Sequence, residues 1–462
     1  MVYLSKIYRI SLYVLVFILP IQTRLILKPG ALPNGYFEYG TFSLYLSDIL
    51  FGLILFLSAL ALIYKAGRSA VFSVPQRYVM LLKTLGILSL IFIILAGLSI
   101  GFSSDRWLGF YKLGWLLAGL FLFWIIALAR YDELKLLIAF GLGLTIQAGI
   151  GLWQFITQSS FSSKWLGIAL HEARELGTSV VEIYPPGQLP ERWLRAYGGL
   201  DHPNILGGIL ALGALFILGW LINASRLKQK GGVAVKRPIE GVLLGFYLIL
   251  ISGLFVSFSK SAWLGFGLGF LSFFILVLFS KSLIRLRETL KILLISGILF
   301  FLLFSLYGDL ARERFRGSGR LEARSASERI ALSREALGVI KSRPLTGTGI
   351  GNYVRHLYGQ KSGADMPASL RMFSAEWQPV HSMFLLIPAE IGLAGLVILI
   401  SIIGLSFFLA AKGGRILAIP AILCLLVLMA FDHWLWSLHF GVFSFWLSLG
   451  LAVRPGLGEP KA

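Results

Sequence analysis

The sequence predicts an all-α integral membrane protein of about twelve transmembrane helices with one large outer loop that itself contains helices, on three grounds. Hydrophobic residues make up 57% of the 462 and charged residues 14%, with a mean hydropathy of +0.81; a soluble domain carries roughly 25% charged residues. Apolar runs of about 20 residues recur from end to end, each long enough to cross a ~30 Å hydrocarbon core as a helix. Short basic segments separate alternate runs, as loops on the cytoplasmic side do.

The expected spans are 8–27, 43–64, 79–101, 107–128, 134–157, 202–223, 241–258, 261–280, 289–307, 381–411, 416–432 and 434–452. The first follows Lys6 and Arg9 without a convincing small-x-small cleavage site, so it reads as a retained helix. Basic residues collect at 65–78, 224–239, 281–288 and 412–415, which puts these connections and both termini in the cytoplasm. Two longer segments then lie outside, 158–201 and 308–380. Pro185, Pro186, Gly187 and Pro190 mark the first as an irregular loop. The second carries ten arginines, at 312, 314, 316, 320, 324, 329, 334, 343, 355 and 371. Long loops translocate largely regardless of charge, so the excess is compatible with this topology. It suits an anionic substrate, and equally a basic loop lying on lipid phosphates. No internal repeat or linker divides the chain, which reads as one polytopic domain over 1–462.

The net charge of +20 is spread over short inter-helical segments, which speaks against nucleic acid and for membrane lipids or phosphates as partners. Cys424 is the one cysteine and lies in an apolar run, excluding an intrachain disulfide and a multi-cysteine metal site.

Four constellations carry candidate chemistry. Arg195-Ala-Tyr-Gly-Gly-Leu-Asp-His-Pro-Asn204 sits where the first outer segment re-enters the membrane. Pro203 and Asn204 suit a helix start, and Arg195 beside such a start suits phosphate, although plain capping gives the same pattern. Ser257-Phe-Ser-Lys260-Ser-Ala-Trp263 forms a short outer turn, where Lys260 either snorkels to the interface or lines an anion site. Arg329 falls in an expected helix from about Ser325 to Ser342. At 100° per residue it lies within about 20° of Ala336 and Ile340, so it faces the protein body and needs a carboxylate or a phosphate there. Arg343-Pro-Leu-Thr-Gly-Thr-Gly-Ile-Gly351 ends that helix, and its glycines suit a backbone nest for phosphate. Finally, His381 heads a span in which Leu385, Pro388, Gly392 and Gly395 share its face to within about 40°, a small-residue seam for close helix packing. Glu390 falls on the opposite face about 13 Å deeper, where a structural hydrogen bond is the main reading. No Asp-x-Asp pair, acidic cluster, His-Glu-x-x-His or Walker loop is present, so no metal and no cofactor is expected.

In the order and spacing of these four pieces the second half of the chain resembles the O-antigen ligase and polymerase superfamily of bacterial membrane glycosyltransferases. The resemblance implies transfer of a glycan from undecaprenyl pyrophosphate to an acceptor hydroxyl at the periplasmic face of the inner membrane, inverting and metal-independent. Carried over by position, Arg329 holds the pyrophosphate and His381 assists the acceptor, with Arg195, Lys260, Arg343 and Asn204 as candidate contacts to pyrophosphate or glycan. Many relatives have Arg where Lys260 stands, and Lys cannot make the bidentate contact. The acceptor is a glycolipid such as lipid A-core, or a growing glycan if the chain is a repeat-unit polymerase. A flippase or transporter of an anionic lipid-linked glycan is the rival class; it would show paired broken helices in two related halves.

Overall fold

The computed structural model describes residues 2–32, 35–63, 78–184, 187, 189–229, 237–316, 320–361, 377–413, 415 and 418–454. Residues 65–77 of the expected basic segment 65–78, residues 230–236 and the side chains of 224–237 of the expected segment 224–239, and Pro185, Pro186 and Arg371 lie outside them.

The helices are α1 Val2–Ile18, α2 Leu46–Ile63, α3 Val79–Ser99, α4 Arg106–Leu128, α5 Glu133–Thr157, α6 Pro203–Gln229, α7 Arg237–Val256, α8 Lys260–Phe279, α9 Leu283–Arg316, α10 Arg320–Ser342, α11 Tyr353–Lys361, α12 Met383–Lys412, α13 Ile419–Phe431, α14 Trp434–Ser437 and α15 His439–Val453. Among the described residues eight helices are long and apolar enough to cross a membrane, and Leu46–Ala61, Ile419–Phe431 and His439–Val453 are shorter apolar helices. The chain is thus a predominantly helical membrane protein. Helix α6 is the hub: its apolar stretch is almost wholly buried, packed by α5, α7, α8, α9 and α13. Close approach rests on small residues, as membrane interfaces require. A Cβ on Gly119 of α4 would fall 2.4 Å from Trp446 of α15, and one on Gly269 of α8 would fall 3.0 Å from the Pro420 carbonyl of α13.

Three expectations are corrected. The first span, expected at 8–27, is helical only over Val2–Ile18, and the chain then runs into β1 Arg24–Lys28, paired antiparallel with β4 Phe42–Tyr45. Pro20, just past the last helical turn, lacks the N–H to continue it. β2 Ala31–Leu32 and β3 Gly35–Tyr36 form a second small hairpin. In the outer segment 158–201, read as irregular, β5 Val180–Ile183 pairs with β6 Glu191–Leu194. The small-residue seam along α12 does not persist, because Gly392 is non-helical at φ 79, ψ 167. Its Cβ would fall 2.1 Å from the Leu345 carbonyl, so the close approach that this glycine permits is to the 344–345 backbone rather than to another helix. Leu393 N–H donates to the Pro344 carbonyl there at 2.8 Å.

The expected helix around Arg329 is present and one turn longer at its start, as α10, packed on α12. Helix α9 continues past the expected end of its span, with a break at Tyr307, and so carries Arg312, Arg314 and Arg316.

Candidate functional site

The site is built around an interruption. Between α13 and α15 the chain leaves the helix at Asp432, makes the one-turn α14, and re-enters at His439. The interruption is internally bonded. His433 N–H donates to Asp432 Oδ1 at 2.8 Å, and His433 Nδ1 lies 2.7 Å from Ser437 Oγ. Trp436 Nε1 donates to Glu390 Oε2 at 2.8 Å, tying α14 to α12. Both Asp432 and His433 are buried. Burial pushes the His433 imidazole down to about 3, so it stays neutral.

His381 arrives from the other side, just ahead of α12, its side chain 20% exposed. Its Nδ1 lies 3.8 Å from Asp432 Oδ1 and its ring centroid 5.2 Å from that of His433. That buried Nδ1 has no hydrogen-bond partner, so an imidazole and a carboxylate stand poised one small movement from a hydrogen bond.

Asp432 connects this pair to the first two constellations. Asn204 Nδ2 donates to Asp432 Oδ2 at 3.3 Å, and Asn204 Oδ1 accepts from Arg195 Nη2 at 2.8 Å. Arg195 Nε donates to the Ser257 carbonyl at 2.9 Å. Arg195 is only 4% exposed, and burial lowers its guanidinium to about 10, still charged at neutral pH. The start of α6 is capped internally: Asn204 N–H donates to His202 Nδ1 at 3.0 Å, while His202 Nε2 lies 2.9 Å from Ser179 Oγ. Burial holds His202 well below its ordinary range.

The cationic side has four members. Lys260 Nζ donates to Glu322 Oε2 at 2.9 Å, and Arg314 pairs with the same carboxylate while its Nε donates to the Phe258 carbonyl at 3.0 Å. Arg195, Arg314 and Arg329 are near enough for their charges to act on one another and on Lys260. Arg329 faces inward, as its helical phase predicts, and its Nε is buried without a hydrogen-bond partner. Leaving that one donor unpaired in a buried place is costly.

One expectation does not hold. The glycine run is no phosphate nest, because its amides are spent within the protein. Gly347 N–H donates to Arg343 O (3.0 Å), Thr348 to Ala389 O (2.9 Å), Gly349 to Glu390 O (2.8 Å), Ile350 to Ser99 Oγ (3.0 Å) and Gly351 to Glu390 Oε2 (2.8 Å). Glu390 is thus a structural acceptor, lining a small cavity with Lys112, Tyr39 and Trp436, not with His381. Arg343 stands apart from the four-cation cluster, its charge acting on His356 of α11.

Sequence reasoning missed Asp432, His433, His202, Arg314 and Glu322 as members of the site. A signal existed for the first two, an Asp-His pair set between two apolar runs. Their juxtaposition with His381 also yields the group of three possible metal ligands found among the described residues, with donor atoms within 4.8 Å; no such cluster was expected. The two Asp432 oxygens and His433 Nδ1 are hydrogen-bonded within the protein, as the groups around a proton-handling His–Asp pair or a metal both are.

Residues 245–400 match the protein family described as O-antigen ligase. That stretch holds the Lys260 turn, Arg314, Glu322, Arg329, the glycine run and His381, while Arg195, Asn204 and Asp432 lie outside it. No curated protein matches the chain.

Proposed function

We propose, from the match of residues 245–400 to the O-antigen ligase family, that the chain is a membrane enzyme of the O-antigen ligase and polymerase superfamily and joins a glycan from undecaprenyl pyrophosphate to an acceptor hydroxyl. The observation that supports this most is the hydrogen-bonded run Arg195–Asn204–Asp432 with His381 Nδ1 3.8 Å beyond it, which sets a histidine beside a cationic cluster. Arg329, with Arg195, Lys260 and Arg314, neutralises the pyrophosphate. His381, oriented by Asp432, takes the proton of the acceptor hydroxyl as its oxygen attacks the anomeric carbon from the face opposite the leaving group. The new C–O bond forms as the bond to pyrophosphate breaks; the proton ends on His381 and the negative charge on the released undecaprenyl pyrophosphate, beside the arginines. The anomeric centre inverts in this single displacement. The acceptor is a glycolipid such as lipid A-core, or a growing glycan in a polymerase, since the same chemistry serves both.

The test is transfer in vitro from a lipid-linked glycan to each acceptor class, with and without EDTA. Transfer is expected to persist in EDTA, because fixed guanidinium charges replace a metal at the diphosphate. Loss on chelation with recovery on adding a divalent cation would instead make His381, Asp432 and His433 metal ligands.

In this reading the chain spans the inner membrane about twelve times with both termini inside. The outer segment 158–201 and the loop 308–380 face the periplasm, where the pocket opens. Cysteines introduced at the exposed Ser327 and Lys281 should react from opposite sides in intact spheroplasts, against a low background from buried Cys424. Equal labelling of both by an impermeant reagent would refute the topology.

A further inference from the structure

A pocket of four cations at a membrane surface meets a selectivity problem. Phosphodiester headgroups of anionic phospholipids carry one negative charge each, surround the protein in large excess and are drawn to basic clusters. Left bare, Arg195, Lys260, Arg314 and Arg329 would attract them as well as a diphosphate.

One carboxylate alters that balance. Glu322, in the first turn of α10, is 17% exposed, sits 2.9 Å from Lys260 Nζ and pairs with Arg314. Glu322 and Arg329 are seven residues apart on α10, about 20° apart around it and about 10 Å along it, so both lie on the same face of the helix. Their states differ: Glu322 has two cationic partners, whereas the buried Nε of Arg329 has none. The pocket thus has an occupied half, Lys260–Glu322–Arg314, and an open half at Arg329.

We infer that Glu322 is a specificity-determining residue, a resident counter-ion that lets the pocket accept a lipid diphosphate and refuse a phosphodiester headgroup. This rests on the reading that a lipid-linked diphosphate is the donor. A phosphodiester has a single phosphate; it reaches Arg329 alone, or replaces Glu322 one charge for one and gains little. A diphosphate carries more charge on two linked phosphates. One engages Arg329 while the other takes Lys260 and Arg314 from Glu322. Specificity here is a difference of affinities set by an internal competitor.

The experiment uses the full chain in phosphatidylcholine nanodiscs, with inorganic pyrophosphate and glycerophosphoglycerol, a phosphodiester monoanion, as calorimetric probes. Wild type should bind pyrophosphate at least about 10-fold more tightly, and Glu322→Gln should collapse that ratio toward about 2-fold, chiefly by tightening the phosphodiester. Glu322→Asp should keep most of the ratio. Glu328→Gln, which removes the solvent-facing partner of Arg324 on the same helix, should leave it unchanged. An unchanged ratio in folded Glu322→Gln overturns the inference and makes Glu322 an ordinary structural ion pair. If that variant does not fold, wild type decides. Replacing about a third of the lipid by phosphatidylglycerol should weaken pyrophosphate binding less than about 2-fold, and a larger loss overturns the inference. Failure of the underlying reading looks different: wild type then binds neither probe, and Arg329→Ala changes nothing.

Discussion

Replacing His381 with alanine is expected to lower turnover by about 10²–10⁴-fold while leaving donor binding nearly unchanged, the effect of removing a general base. The expectation rests on position. His381 is partly exposed at the pocket, its Nδ1 faces Asp432, and its two histidine neighbours are disqualified as bases. His433 is buried with Nδ1 against Ser437, and His202 is spent capping α6. Asp432→Asn separates orientation from bulk. It keeps the volume but replaces the carboxylate that faces His381 Nδ1 with an amide. Turnover should fall, by less than in His381→Ala. Purified His381→Ala with wild-type melting and unchanged turnover would show that the histidine is structural.

Arg329→Ala is expected to act on the other half of the reaction, costing roughly 10²–10³-fold in kcat/KM because a fixed charge at the leaving group is lost. Unlike the histidine variant, it should also weaken binding of the pyrophosphate donor. Arg329→Lys should recover only part of both, since an ammonium lacks the planar fork that grips two phosphate oxygens. An arginine holding a native carboxylate would lower the melting temperature when removed, so donor affinity and melting must be read together. A folded Arg329→Ala that binds and transfers like wild type would remove the arginine from the mechanism.

The reach of sequence reasoning differed between elements for identifiable reasons. The inward face of Arg329 was legible because helical phase is local: Ala336 and Val339 mark the buried stripe of α10 within a few turns of it. The start of α6 was legible in Pro203 and Asn204, yet Asn204 spends its side chain on Arg195 and Asp432 rather than on a phosphate. The glycine run was misread because glycines report only that the backbone bends. Whether the freed N–H groups point to a ligand or to Glu390 depends on what packs opposite, and that is set by the break at Gly392.

What the sequence by itself determined is the class of the molecule and the identity of its candidate groups. A bilayer requires long apolar runs that satisfy their own hydrogen bonds as helices, a demand met residue by residue along the chain and therefore visible in it. The ordered arginine, lysine and histidine positions that carry the family resemblance are visible in the same way. Tertiary structure alone decided which groups meet. Asp432 reaches His381 because α13 stops one residue short of it and α12 brings the histidine alongside; Glu322 reaches Lys260 because α10 folds back over the turn before α8. Contacts between side chains distant in the chain depend on how helices pack and where they break, and packing among apolar faces leaves no period in the sequence from which such pairings could be read.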